Sequence, residues 1–90
     1  MLVLPAELTH EQAPACLRMF AEALRRDAGS TIVADAGALQ HFDSSALAVL
    51  LECRREALTA GKSFSVARMP ARVRELATLY GVAELLPAAP

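Results

Sequence analysis

The sequence predicts a small α/β domain: a mainly parallel β-sheet of few strands with helices packed on it. Three short apolar or β-branched runs, Leu2-Val3-Leu4, Thr31-Ile32-Val33-Ala34 and residues 63–67, alternate with three segments of helical period. Strands so separated are joined by crossovers, and crossovers produce parallel neighbours. Ninety residues supply one modest core, burying roughly 60 to 65% of the unfolded chain's surface, so a single domain over 1–90 is expected.

The elements follow in order. Leu2-Val3-Leu4, ended by Pro5, reads as a short strand at a sheet edge or leading out of it. Thr9 and Gln12 have capping-box spacing, and Leu17, Phe20, Ala21 and Leu24 recur at helical intervals, so a helix is expected over 10–27, with Pro14 in its first turn and Gly29 stopping it. Thr31 to Ala34 reads as a central strand buried on both faces, and residues 36–42 as a connection. The helical period returns over 44–60, with Gly61 as C-terminal cap. A strand over 63–67 follows, then a helix from Pro70 to about residue 79, closed by Tyr80-Gly81. Leu85-Leu86, in the tail 82–90, are expected to fold back on the core.

Composition narrows the function. A net charge of −1, with acids and bases interspersed, creates no field to attract a phosphate backbone, so nucleic acid is not an expected partner. Glu52, Arg54 and Arg55 interrupt the longest apolar run, so no membrane span is expected, and MLVLPAELTHEQ lacks a basic leader, which argues for a cytoplasmic chain. Cys16 and Cys53 have neither CxxC spacing nor a matching histidine pair; buried free thiols are expected, and no metal. The glycines at 29, 37, 61 and 81 are too dispersed for a phosphate-binding loop, so no cofactor is expected either.

The stretch HFDSSALAVLL, residues 41–51, carries the main functional signal. Asp43 is a good N-cap, because its carboxylate can accept the free amide of Ser45 or Ala46 at the positive end of the helix dipole. One cap needs one such residue, yet two hydroxyls follow. Projection at about 100° per residue places Ala46, Leu47, Leu50, Cys53, Ala57 and Leu58 toward the sheet, with the Arg54 stem laid on apolar surface. Ser45, Ala48, Glu52, Arg55, Glu56 and Thr59 fall on the other side, with Val49 nearer that second group. Asp43, Ser44, Ser45, Ala48, Val49 and Glu52 are therefore the candidate partner-binding surface. A phosphate on Ser44 would meet the helix dipole favourably and add roughly −1.5 to −2 charges.

Catalysis has little to build on. His41, Asp43 and Ser44 are too close in sequence to set a nucleophile, base and orienting acid in line, and no Gly-x-Ser-x-Gly elbow is present, so the chain is not expected to be an enzyme. A second charged group, Arg68, Arg72 and Arg74 with Glu75, is either a solvated helix face or a set of guanidinium forks for a partner's carboxylates. Leu79 and Tyr80 are expected to pack the helix end.

Asp43-Ser44-Ser45-Ala46-Leu47, after a buried strand and before an apolar helix, resembles the D-[ST]-[ST]-G-L signature of STAS domains, the fold of bacterial anti-sigma factor antagonists. Glu7-Leu8 is similar to the family's Glu-Leu after a strand, and Ala60-Gly61-Lys62 to its helix-to-strand turn. Residues 73–82, running on to Leu85-Leu86-Pro87, resemble the ending of the MlaB-type STAS subunits of phospholipid ABC transporters. Ala46 and Ala6 stand where the family usually has glycine. The family's first N-terminal strand has no counterpart in residues 1–90, which implies either an exposed sheet edge or a true start upstream.

The resemblance implies a non-catalytic subunit docked on the MlaF-like ATPase of such a complex, and through it on the permease. It places Ser44 at the ATPase contact and Asp43 as the acidic residue before it, with Ser45 the second hydroxyl position. The alternative it implies is an anti-sigma factor antagonist whose Ser44 is phosphorylated by an anti-sigma factor kinase.

Overall fold

A computed structural model describes residues 1–89; Pro90, the end of the expected tail, lies outside the described residues. The elements are β1 (Leu2–Val3), β2 (Glu7–Leu8), α1 (Ala13–Arg26), β3 (Thr31–Asp35), β4 (His41–Phe42), α2 (Ser45–Thr59), β5 (Ser63–Ala67), α3 (Ala71–Leu79) and a 3-10 turn at Ala83–Leu85. The expected α/β architecture is present. The main sheet has the order β1-β3-β5 and is parallel throughout, with Leu2 beside Ala34 and Ile32 beside Phe64.

Each crossover moves the chain one strand in the same direction, so right-handed connections lay α1 and α2 on one face, and α3 joins them there through Val73. Burial alternates at the start of each strand. Leu2, Leu4, Ile32, Ala34, Phe64 and Val66 are buried in one core cluster with Phe20 of α1, Leu50 of α2 and Val73 of α3. On the opposite face Val3, Thr31 and Ser63 are exposed and Val33 is half-buried, while toward the C-terminal ends of the strands Asp35 and Ser65 are buried. β3 is thus central but not buried on both faces as expected: a run of four apolar residues does not reveal that only one side will receive helices. The Phe20 ring meets Phe64 edge-on at 6.5 Å, tying α1 to the sheet.

The connection expected over 36–42 contains a strand. β4 pairs in parallel with β2, Glu7 beside His41 and Leu8 beside Phe42, and Ala6 O accepts from both Gln40 N–H and His41 N–H. Two-residue strands are too short for a period, and the pairing exists only because the fold brings the two segments together. It also sets residues 8–10 beside the turn that opens α2.

α1 begins at Ala13, three residues later than the pattern implied. Gln12 Oε1 accepts from Thr9 N–H at 2.9 Å and from Thr9 Oγ1 at 2.7 Å, so the capping-box pair holds a turn preceding the helix. α2 and α3 agree with expectation to within a residue, and both end at a left-handed glycine, Gly61 at φ 77° and Gly81 at φ 72°.

Two projections are corrected. Val49 is 1% exposed and Leu58 48% exposed, the reverse of their expected sides. α1 packs against the flank of α2, widening the buried arc toward Val49, while Leu58, near the C-terminal end of α2, stands outside the covered part. Leu79 and Tyr80 do not pack the helix end: they are 76% and 58% exposed. Leu79 lies two residues, about 200°, past the buried Ala77 and faces away from the core.

The tail folds back as expected, but of the expected pair Leu85-Leu86 only Leu86 is buried, with Val82 and Ala83 packed against the same core. Leu86 is 0% exposed, against 38% for Leu85. Arg74 Nη1 donates to Leu86 O at 3.3 Å, Val66 N–H donates to Pro87 O and Ala89 N–H to Val66 O. The tail therefore lines the outer edge of β5. Among the described residues no strand pairs with the outer edge of β1.

Candidate functional site

At the head of α2, Asp43 Oδ1 accepts from Ser45 N–H at 2.8 Å, and Oδ2 accepts from His10 N–H at 3.3 Å with the imidazole Nδ1 3.7 Å away. The Ser45 amide first, and then the His10 contacts, hold the Asp43 carboxyl below the usual carboxylate range. One residue thus caps the helix and staples it to the segment entering α1. Ser44 is the N-cap by position, but its hydroxyl makes no capping bond. It is exposed, while Ser45 is half-buried. The turn needs Asp43; among the described residues no hydrogen bond uses the Ser44 hydroxyl.

Beside this turn, α1 and α2 diverge around a shallow apolar groove of about 500 Å³. Ala13, Pro14 and Leu17 form one bank and Ser45, Ala48, Val49 and Glu52 the other, with His10 at the mouth. Four of the six candidate residues line it, and Asp43 and Ser44 precede them at the head of the same helix. Val49 contributes a buried wall rather than the exposed surface expected of it. Glu52 is held by Arg55 at 2.8 Å on the outer side, an exposed pair of small energetic weight. The α1 bank was not read from the sequence, although the spacing of His10, Ala13, Pro14 and Leu17 is that of one helical stripe.

The arginine group is not a set of free forks. Arg68 Nε donates to Asp35 Oδ1 at 3.0 Å and Nη2 to Oδ2 at 2.5 Å. The Asp35 side chain is 8% exposed and the Arg68 side chain 71%. The Arg68 hydrogen bonds, followed by the Gly37 amide at 2.9 Å, hold the Asp35 carboxyl below its usual range. Arg68 adopts φ 53°, and a Cβ on Gly37 would lie 2.7 Å from its Nε, so a side chain at Gly37 would displace the guanidinium from its place beside Asp35. Arg74 is engaged by the tail carbonyls of Leu86 and Ala83. Arg72 stacks over Phe42, 5.8 Å from the ring centroid.

Cys16 and Cys53 are both buried and unbridged, and burial pushes both thiols up, Cys53 the further, which suppresses the reactive thiolate. Among the described residues no three His, Cys, Asp or Glu side chains converge as metal ligands, and no helix is long and apolar enough to cross a membrane.

A parallel sheet with its helices on one face, and an Asp-Ser-Ser turn opening the middle helix beside an apolar groove, define a small α/β domain of the STAS type. The family model described as "Mlab, STAS domain" matches residues 1–87, and the chain belongs to that family. No curated protein matches the chain.

Proposed function

We propose that the chain is a non-catalytic STAS subunit that docks on the cytoplasmic ATPase of a phospholipid-transport ABC complex, and stabilises the assembled ATPase or tunes its hydrolysis. Such a complex maintains outer-membrane lipid asymmetry, and this subunit would be held at the inner membrane through the ATPase and its permease rather than by inserting into the bilayer. The observation that carries the reading is the apolar groove beside the Asp43 turn: a water-excluding surface next to an exposed, unused hydroxyl suits a protein contact. The family description and the resemblance of residues 73–82 to MlaB-type endings favour the transporter setting. Asp43, Ser44, Ser45, Ala48 and Glu52 supply the contact, with Val49 behind them.

A second reading, an anti-sigma factor antagonist switched by a kinase acting on Ser44, is favoured by that hydroxyl being exposed and free of any capping bond. Affinity purification of the tagged chain from membranes and cytosol, with mass spectrometry of what accompanies it, separates the two. An ABC ATPase with its permease in the membrane fraction supports docking. A small histidine-kinase-like ATPase in the cytosol, with phosphate on Ser44, overturns it in favour of the antagonist.

A further inference from the structure

α3 carries a second apolar stripe at the margin of the core, distinct from the α1–α2 groove. Val73 and Ala77 face inward and are 0% exposed. Leu76 and Leu79, with Arg72 and Glu75 beside them, face a shallow groove of about 310 Å³ closed on the other side by Phe42. The spacing 72, 75, 76, 79 is the one by which a helix meets another helix. Apart from Met1, Leu79, at 76% exposed, and Tyr80, at 58%, are the most exposed large hydrophobic residues among those described. Two adjacent residues of this kind beside a groove form a patch, whereas singly scattered ones carry no meaning.

The charges on the stripe indicate what covers it. Among the described residues neither Arg72 nor Glu75 has an ion-pair partner, although they lie one turn apart on α3. A stripe bearing one unpaired cation and one unpaired carboxylate is complementary to itself. When two copies meet about a two-fold axis with antiparallel α3 helices, each Arg72 faces the other copy's Glu75, and each Leu79 enters the groove between the other copy's Phe42 and α3. We propose that α3 is a homodimerisation face of this chain. A nine-residue helix is about 13 Å long, so the contact falls at the small end of specific interfaces, and the dimer is transient and concentration-dependent.

The test is analytical ultracentrifugation of the purified chain from about 10 µM to about 1 mM, the span in which a contact of this size assembles. The wild type is expected to shift from monomer toward dimer. Leu79→Lys and Arg72→Glu each weaken the dimer at least about tenfold. Leu79→Lys leaves far-UV circular dichroism and Tm unchanged because its side chain is exposed, whereas Arg72→Glu keeps the circular dichroism but also loses the stacking on Phe42, which lowers Tm slightly. The double variant Arg72→Glu/Glu75→Arg, which restores both cross-pairs with their signs exchanged, returns the affinity to within about threefold of the wild type. A wild type that stays monomeric throughout overturns the proposal and leaves the stripe to a different protein. A dimer indifferent to Leu79→Lys and to the charge reversals overturns it too, since association then uses another face, such as the open edge of β1.

Discussion

Leu85 and Leu86 are identical side chains on adjacent residues, yet replacing each by alanine should have very unequal consequences. Leu86 is 0% exposed and belongs to the core cluster, whereas Leu85 is 38% exposed. Leu86→Ala deletes about three buried carbons, worth about 2.4 kcal/mol at roughly 0.8 kcal/mol each. The incompletely closed cavity raises the loss to about 3 to 5 kcal/mol. For 90 residues the unfolding entropy is about 0.19 kcal/mol/K, so each kcal/mol moves Tm by about 5 °C and the variant should melt roughly 15 to 25 °C lower. Leu85→Ala should stay within about 0.5 kcal/mol of wild type. Urea unfolding followed by far-UV circular dichroism, with calorimetry for Tm, measures both. Equal losses in the two variants, or a wild-type-like Leu86→Ala, would refute the claim that the tail completes the core through Leu86.

Three further outcomes are expected. Asp35 titrates below its unfolded value, so its pairing stabilises the fold above about pH 4 and is lost as pH falls through the depressed folded pKa; Asp35→Asn should lower Tm at neutral pH, with the gap to wild type closing below pH ~4 in calorimetry across pH. Gly37→Ala should destabilise the wild type more than it destabilises an Arg68→Ala background, because the added Cβ meets the guanidinium; a double-mutant cycle with additive losses would remove that explanation. Ala48→Glu, at an exposed position, should change stability by no more than about 0.5 kcal/mol. In a pull-down with the membrane ATPase, both it and Ser44→Glu should weaken capture by placing an unpaired charge in a desolvated contact while Ser44→Ala stays mild, and full capture of both acidic variants would remove the α2 head from the docking surface.

Much of the fold was legible because each main element carries its own local signal. Val33 and its neighbours are β-branched between turn residues, α2 combines a full helical period with Gly61 behind it, and Pro70 marks the start of α3. The β2–β4 pair was not legible, since Glu7-Leu8 and His41-Phe42 become strands only by finding each other. At the candidate site, Asp43 as a cap and Ser44 as an available hydroxyl could be read from helix-end chemistry alone. Val49 could not, because its burial depends on α1 lying against the flank of α2. Nor could the engagement of Arg68, since Asp35 stands 33 residues away and no local pattern links them.

Period, capping and turn residues act over a few positions, so the sequence by itself determined the order of the elements, their approximate ends and the Asp-Ser-Ser turn. Which face of the sheet the helices cover, which arginines are spent on the fold and which remain at the surface, and which of two adjacent leucines enters the core were decided only when distant segments packed. Those outcomes depend on crossover handedness and on contacts between residues far apart in the chain. No local propensity encodes them.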